Sequence, residues 1–197
     1  MTGRDIIKIT VNLVIVYLVG GAILAAVYAK TSPIMFKNAV IEKERALKAL
    51  MPEADNIEKL GDWKPHGKAA EYFVAKKGDE VIGYVVQSFG KGYSSYINVL
   101  IAIDKDLKVQ KIDILSHAET PGLGDEIEKD DFKKQFKGKD VDHIKLVKTE
   151  TAEYIQAISG VTISSRAVTD DAVKKGLNHI INVVKGGTDG ATQHKHN

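Results

Sequence analysis

The chain has 197 residues, a formal net charge of +2 and no cysteine. This length accommodates one globular domain and an anchor, but not two substantial domains. Without cysteine the chain forms no disulfides, cysteine-ligated iron–sulfur clusters or thiolate zinc sites, and it has no thiol nucleophile. The balanced charge, without a basic stripe carrying interleaved aromatic residues, argues against nucleic-acid binding.

An uncharged apolar run over residues 9–29 is long enough to cross about 30 Å of hydrocarbon as a helix. Arg4 and Lys8 precede this run, so the positive-inside rule predicts a cytoplasmic amino terminus and an extracytoplasmic domain. A signal peptide cleaved after Ala29 is the alternative, but the run is longer than the apolar region of such peptides. We therefore expect residues 1–30 to be a cytoplasmic terminus and one transmembrane helix in the plasma (inner) membrane.

The hydrophobic pattern of residues 31–185 predicts one mixed α+β domain. Apolar residues at helical spacing over 38–51 predict an amphipathic helix that ends before Pro52. Runs of β-forming residues then predict two hairpins, which together make four antiparallel strands. The predicted strands are residues 71–76, 81–89, 96–103 and 109–115. The loop 90–95 between the hairpins is either a ligand-binding loop or a plain surface loop.

Three further elements are predicted beyond the hairpins. Periodicity indicates a short helix over residues 130–136, a strand over 144–148 and a longer helix over 164–184. Residues 186–197 are polar and glycine-rich, which predicts a flexible tail. The expected architecture is a single transmembrane helix followed by an antiparallel-sheet domain with flanking helices.

The segment SHAETPGLG, residues 116–124, follows a predicted strand and is rich in contact groups. Pro121-Gly122 predicts a tight turn, and the glycines allow a planar ligand to approach backbone N–H groups closely. The side chains of His117, Glu119 and Thr120 add hydrogen-bonding groups. A purely structural turn with a solvated histidine is the alternative. One histidine and one glutamate do not make a metal site without further ligands.

The segment AISGVTISSR, residues 157–166, places a glycine turn and four hydroxyls before the long predicted helix. The unpaired N–H groups and positive dipole end of a helix favour a phosphate attached to Thr162 or bound beside it. Simple capping of the helix by Ser164 or Ser165 is the alternative. Capping needs one of those hydroxyls only, so Ser159 and Thr162 stay unexplained by it.

Together HAETPGLG and the later SGVTISS resemble the FMN-binding domain of the RnfG and NqrC proteins. These are subunits of the Rnf complex and of the sodium-translocating NADH:quinone reductase. The resemblance extends over nearly the whole chain, from the anchor to the last helix. In that family a flavin transferase esterifies the threonine that closes an SGAT pattern with the phosphate of FMN, and Thr162 is the matching position. Val161 stands where the family usually has alanine, and Ser164 where threonine is common.

The resemblance implies that both segments contact a covalent FMN on Thr162, and it implies no catalytic residue or metal ligand. The implied cofactor-binding residues are Ser159, Gly160, Val161, Ser164 and Ser165 in the second segment, with His117, Glu119, Thr120, Leu123 and Gly124 in the first. A weaker match ends at Thr192, but no helix is expected to start there. No Ser–His–Asp triad is apparent.

The compact chain favours the Rnf branch over the quinone reductase branch. The resemblance then implies an electron-transfer subunit that functions only within an ion-translocating ferredoxin:NAD oxidoreductase complex. Its partners would be the other membrane subunits, including a second flavin-carrying one, and the flavin transferase. The alternatives are the C subunit of the sodium-translocating NADH:quinone reductase, a regulatory FMN-binding membrane protein, and a non-redox binding module whose flavin motif is unused.

Overall fold

The computed structural model describes residues 3–190, with side chains described through residue 186. The chain divides into two compact units, Met1–Lys43 and Glu44–Asn197. The predicted domain boundary at residue 30 concerns the end of the membrane segment and stays a prediction. Residues 191–197 and the Thr192 motif lie outside the described part of the chain.

The first helix, α1 (Gly3–Leu50), is long and apolar enough to cross a membrane. The sequence predicted an anchor over 9–29 and a separate helix over 38–51. Instead, the structure has one continuous helix, which includes Pro33. The helix ends just before Pro52, as the pattern predicted, because proline cannot continue the backbone hydrogen bonding.

Five antiparallel strands form a sheet in which neighbours in sequence are neighbours in space. The strands are β1 (Asn56–Trp63), β2 (Ala70–Lys77), β3 (Glu80–Lys91), β4 (Tyr96–Asp104) and β5 (Val109–Ser116). The four predicted strands are confirmed with small changes at their ends. The expected antiparallel α+β fold is therefore confirmed.

Strand β1 was missed because its sequence does not alternate cleanly. The pairing of β1 with β2 shifts between Lys59 and Gly61, which indicates a bulge. A bulge inserts an extra residue and breaks the period of two that identifies a strand. Strand β1 is also an edge strand, exposed along most of its length, so it carries little apolar signal.

Helical segments cover both faces of the sheet. On one face the end of α1, through Leu47 and Leu50, packs with Val85 and Leu100. On the other face lies a larger core that continues into the last helices. Side chains of this core are fully buried; they include Val86, Ile101, Ile112, Val168, Leu177 and Ile180. Burying each of the large ones contributes roughly 1.5–3 kcal/mol.

The carboxyl-terminal helical element is continuous from Thr162 to Gly190. It comprises α3 (Thr162–Arg166), a π-helical segment (Ala167–Val173) and α4 (Lys174–Gly190). It begins two residues earlier and ends later than the predicted helix, so part of the predicted tail is helical. The π-helical backbone touches β3 at Gly90, where an added Cβ would collide with the Ala167 carbonyl oxygen. This close approach fixes the start of the helix against the sheet.

Short elements connect the sheet to the last helix. A 3-10 turn (Gly124–Glu128) leads into α2 (Asp130–Lys134), which is slightly shorter than predicted. The predicted strand over 144–148 is reduced to β6 (Leu146–Val147), which pairs in parallel with β7 (Ile155–Gln156). These elements bring both sequence motifs to the same end of the sheet.

Candidate functional site

The first motif forms a tight turn after β5. The carbonyl oxygen of Thr120 accepts hydrogen bonds from the N–H groups of Leu123 at 3.1 Å and Gly124 at 2.8 Å. Gly122 has a φ of +74°, a conformation that only glycine adopts without strain. The predicted turn at Pro121-Gly122 is therefore present. It presents Thr120 and Leu123 to solvent.

Glu119 is buried, with 5% of its surface exposed, and it joins three parts of the chain. Its Oε2 accepts hydrogen bonds from the Tyr93 N–H at 3.1 Å and from the Ser164 hydroxyl at 2.5 Å. Its Oε1 accepts from the N–H groups of Ser94 at 3.0 Å and Ser95 at 3.3 Å. The carboxylate thus ties the first motif to the loop before β4 and to the start of α3.

The ionisation of Glu119 follows from these contacts. Burial alone raises the pKa of the carboxyl, but the hydrogen bond from Ser164 and those from three backbone N–H groups outweigh it. The pKa of Glu119 therefore lies below its ordinary value. Because each of the four donors favours the charged form, Glu119 is a carboxylate at neutral pH.

The loop between β3 and β4 is held in place rather than free. The Gly92 N–H donates to the Ser95 carbonyl oxygen at 2.8 Å, and the Ser95 hydroxyl accepts from the Ala118 N–H at 2.9 Å. This arrangement leaves Tyr93 projecting, with 74% of its surface exposed. The loop belongs to the site, which favours the ligand-binding interpretation over a plain surface loop.

The second motif forms a turn that leads directly into α3. The Val161 N–H donates to the Ile158 carbonyl oxygen at 3.0 Å, and Gly160 has a φ of +78°. The Ser165 N–H then donates to the Val161 carbonyl oxygen at 2.9 Å, which closes the first helical turn. Thr162 is consequently the first residue of the helix, as the phosphate-binding interpretation requires.

The hydroxyls of this motif have different surroundings. Ser164 and Ser165 are buried, and neither caps the helix, because Ser164 donates to Glu119 and Ser165 to the Val161 carbonyl oxygen at 2.9 Å. The capping alternative is therefore wrong. Ser159 is exposed and lines a separate depression. Thr162 lines the space between the two motifs, and its hydroxyl has no hydrogen-bond partner within the described residues.

The two motifs enclose a cleft of about 360 Å³, a volume in the range of small-molecule sites. The lining residues are Tyr93, Glu119, Thr120, Leu123, Gly124, Gly160, Val161, Thr162, Ile163 and Ser164. Eight of them were predicted from the sequence. Tyr93 and Ile163 were not; Tyr93 lies in the loop 90–95, for which ligand binding was one interpretation, and Ile163 directly follows Thr162 in the sequence. His117, Ser159 and Ser165 were predicted but do not line the cleft.

The lining of the cleft combines exposed apolar side chains with an exposed tyrosine. Leu123 is 49% exposed and Ile163 is 50% exposed, so two apolar side chains stand unburied at its edge beside Tyr93. Among the described residues that line the cleft there is no lysine or arginine. The one carboxylate, that of Glu119, already accepts four hydrogen bonds from the protein. Thr162, the first residue of α3, also lines the cleft.

Comparison with known proteins bears on what this cleft accommodates. A family model described as an FMN-binding domain matches residues 92–178, which include both motifs. The chain is 38% identical over 184 residues to the G subunit of the proton-translocating ferredoxin:NAD(+) oxidoreductase complex of Clostridium ljungdahlii. That match covers 93% of this chain and 96% of that protein. The chain belongs to the RnfG family.

A second RnfG relative supports the assignment, and one solved structure matches the fold. The G subunit of the ion-translocating oxidoreductase complex of Methanosarcina acetivorans is 30% identical over 172 residues, covering 85% of this chain and 90% of that protein. The crystal structure of Shewanella oneidensis NqrC matches with a TM-score of 0.53 at 23% identity, covering 70% of this chain and 74% of that one. At this identity the likeness establishes the fold alone. The resemblance inferred from the two motifs is confirmed.

Proposed function

We propose that this RnfG protein is a membrane-anchored electron-transfer subunit of an ion-translocating ferredoxin:NAD oxidoreductase complex, with FMN esterified through its phosphate to Thr162. One observation carries the proposal. Thr162 lines a cleft formed by both family motifs at the first residue of α3, and its hydroxyl has no hydrogen-bond partner within the described residues. FMN supplies reversible electron transfer, while the protein determines the position and surroundings of the flavin.

Thr162 is the proposed site of the FMN ester because the other hydroxyls of the motif are less suitable. Ser164 and Ser165 are buried and already donate hydrogen bonds within the protein, so an ester on either would break the contacts that build the cleft. Ser159 is accessible but lines a different depression. Thr162 is half-buried, lines the cleft and has no hydrogen-bond partner for its hydroxyl within the described residues.

The lining of the cleft favours a covalent link over reversible binding. A free FMN phosphate is a dianion, and the described lining offers it no lysine or arginine. The N–H groups of the first helical turn favour a negative group by roughly 0.3–2 kcal/mol, too little to hold FMN alone. A covalent ester would hold FMN in the cleft without the affinity that these contacts fail to provide. In forming it, the Thr162 oxygen bonds to the flavin phosphorus while the phosphoanhydride bond of a flavin dinucleotide donor breaks. The nucleoside monophosphate leaves, the hydroxyl proton goes to solvent, and a flavin transferase is the catalyst.

The remaining residues of the cleft have separate roles in this proposal. Leu123 and Ile163 supply apolar surface that excludes water from the flavin ring. Tyr93 supplies an aromatic face. Glu119 is already saturated with hydrogen bonds, so it holds the walls together instead of contacting the phosphate.

The helix α1 provides the anchor in this proposal. Residues 9–29 span the membrane, and Arg4 and Lys8 keep the amino terminus in the cytoplasm. The flavin domain is then extracytoplasmic, where it exchanges electrons with the other membrane subunits, including a second one that carries flavin. The relatives named above support membership of such a complex.

Intact mass after denaturation tests the ester, because only a covalent flavin survives unfolding. Co-expressed with a flavin transferase, the wild-type protein should exceed its sequence mass by FMN less one water. Thr162→Ala should have the sequence mass and no in-gel flavin fluorescence. The matched control Ser159→Ala should keep both signals. A flavin adduct that persists in Thr162→Ala would refute the assignment.

A further inference from the structure

A chain of hydrogen bonds runs from the surface of the domain to Glu119. The Glu119 N–H donates to Nδ1 of His117 at 3.1 Å. On the other side of the ring, Nε2 of His117 lies 2.8 Å from Oε1 of Glu128. The His117 side chain is only 10% exposed, whereas that of Glu128 is 54% exposed. Neither side chain lines the cleft.

These contacts specify the tautomer of His117. A peptide N–H can only donate, so Nδ1 must present its lone pair to Glu119. The proton of the neutral ring is then on Nε2, which donates it to the Glu128 carboxylate. A proton on Nδ1 would place two donors against each other and break the contact with Glu119.

We infer that His117 is a positioning residue: Glu128 holds it as the Nε2–H tautomer, and its Nδ1 fixes the backbone of Glu119. Glu119 in turn holds the loop of Tyr93 and the hydroxyl of Ser164. Through these contacts Glu128, which lies outside the cleft, stabilises the positions of residues that line the cleft. The part of this inference that concerns FMN rests on the proposed function, whereas the part that concerns the tautomer does not.

Another histidine of the same chain provides a matched internal control. Nδ1 of His143 lies 2.6 Å from Oδ1 of Asp140, so His143 must carry a proton on Nδ1. His143 also pairs with a carboxylate but does not line the cleft. The structure therefore predicts an unprotonated Nδ1 in His117 and a protonated Nδ1 in His143.

Nitrogen NMR of the full-length protein in detergent, labelled with ring-¹⁵N histidine, tests the tautomer. The His117 signals are identified by their loss in His117→Asn. We expect one unprotonated Nδ1 and one protonated Nε2 for His117, and a protonated Nδ1 for His143. Glu128→Gln should keep the His117 pattern because the amide oxygen still accepts. Glu128→Leu should raise the fraction of the Nδ1–H tautomer, because only the Glu119 N–H then opposes it. A protonated Nδ1 in wild-type His117 would overturn the inference.

Hydrogen exchange tests the positioning. The Glu119 amide should exchange slowly in the wild type and faster in His117→Ala. His117→Asn should restore protection, because an asparagine oxygen can accept from the N–H two residues later. His143→Ala should match the wild type. Equal exchange in wild type and His117→Ala, or failure of His117→Asn to restore protection, would refute the positioning role.

Fluorescence of the flavin-loaded protein tests whether His117 affects the cleft. The anisotropy of flavin fluorescence should fall in His117→Ala and recover in His117→Asn. If His117→Ala kept the wild-type anisotropy while losing amide protection, the link from His117 to the cleft would be refuted. If the wild-type protein carried no flavin, the proposed function would fail, and the tautomer and exchange measurements would still decide the role of His117.

Discussion

The hydroxyl of Ser164 lies 2.5 Å from Oε2 of Glu119, although the two residues are 45 positions apart. This contact joins the two family motifs directly. Because the same carboxylate also accepts hydrogen bonds from the loop before β4, one side chain links all three chain segments that line the cleft.

Ser164→Ala should destabilise the domain by about 1.5–3 kcal/mol, because it removes one hydrogen bond to a buried charge. The free energy of unfolding, measured with a chemical denaturant in detergent, gives the value. Ser159→Ala is the matched control; its side chain is exposed, so the change should be within about 0.5 kcal/mol. Equal effects of the two substitutions would mean that the Ser164–Glu119 contact adds no stability.

Stability should decrease in acid partly through Glu119. Its pKa in the folded protein is lower than the ordinary value near 4.5, so the folded state binds fewer protons there than the unfolded state. The resulting stabilisation is complete above that ordinary value and is lost as pH falls through the folded pKa. Denaturant unfolding of wild type and Glu119→Gln from pH 7 to pH 3 should show a steeper loss in the wild type. Parallel curves would contradict the lowered pKa.

Gly124→Ala should disorder the first motif without placing a side chain in the cleft. An added Cβ would lie 2.5 Å from the Cβ of Glu119, so the turn must move. We expect a loss of at least about 1 kcal/mol of stability, from overpacking, and a changed flavin absorption spectrum. Gly186→Ala meets no atom within 4 Å and serves as the control. An unchanged spectrum would show that the turn tolerates displacement.

Tyr93→Phe should lengthen the fluorescence lifetime of the bound flavin. A tyrosine in contact with a flavin quenches its emission by excited-state electron transfer, and phenylalanine keeps the shape without that chemistry. Tyr154→Phe, which alters a tyrosine outside the cleft, should have no effect. Time-resolved fluorescence of the loaded protein provides the measurement. Identical lifetimes would remove Tyr93 from the flavin environment.

The soluble domain should be digested by protease added outside spheroplasts, since the charges of Arg4 and Lys8 favour a cytoplasmic terminus. The intact protein should also stay in membranes after a high-salt wash, because burial of residues 9–29 exceeds surface charge attraction. Immunoblots of washed and protease-treated fractions report both. Protection of the domain would reverse the orientation, and a soluble form beginning near Lys30 would indicate cleavage.

Local patterns in the sequence predicted most of the fold. Strands β2 to β5 are runs of β-forming residues, and the last helix repeats apolar residues at helical spacing; neither signal needs knowledge of the partner element. The sequence did not predict strand β1, because the bulge between Lys59 and Gly61 interrupts the two-residue alternation of a strand. The motifs also predicted Thr162 and Glu119 as site residues, and both line the cleft; the turns at Gly122 and Gly160 have a positive φ.

Tertiary structure alone decided how the candidate residues divide between the cleft and its support. The sequence placed His117, Ser159 and Ser165 with the cofactor, whereas the fold turns Ser159 toward another depression and uses the other two to hold backbone groups. It also brought Tyr93 into the wall, through a carboxylate far away in the chain. Spacing along a chain specifies which residues share a turn or a helix face. Which hydroxyl stays free depends on long-range hydrogen bonds that exist only after the sheet and helix have packed.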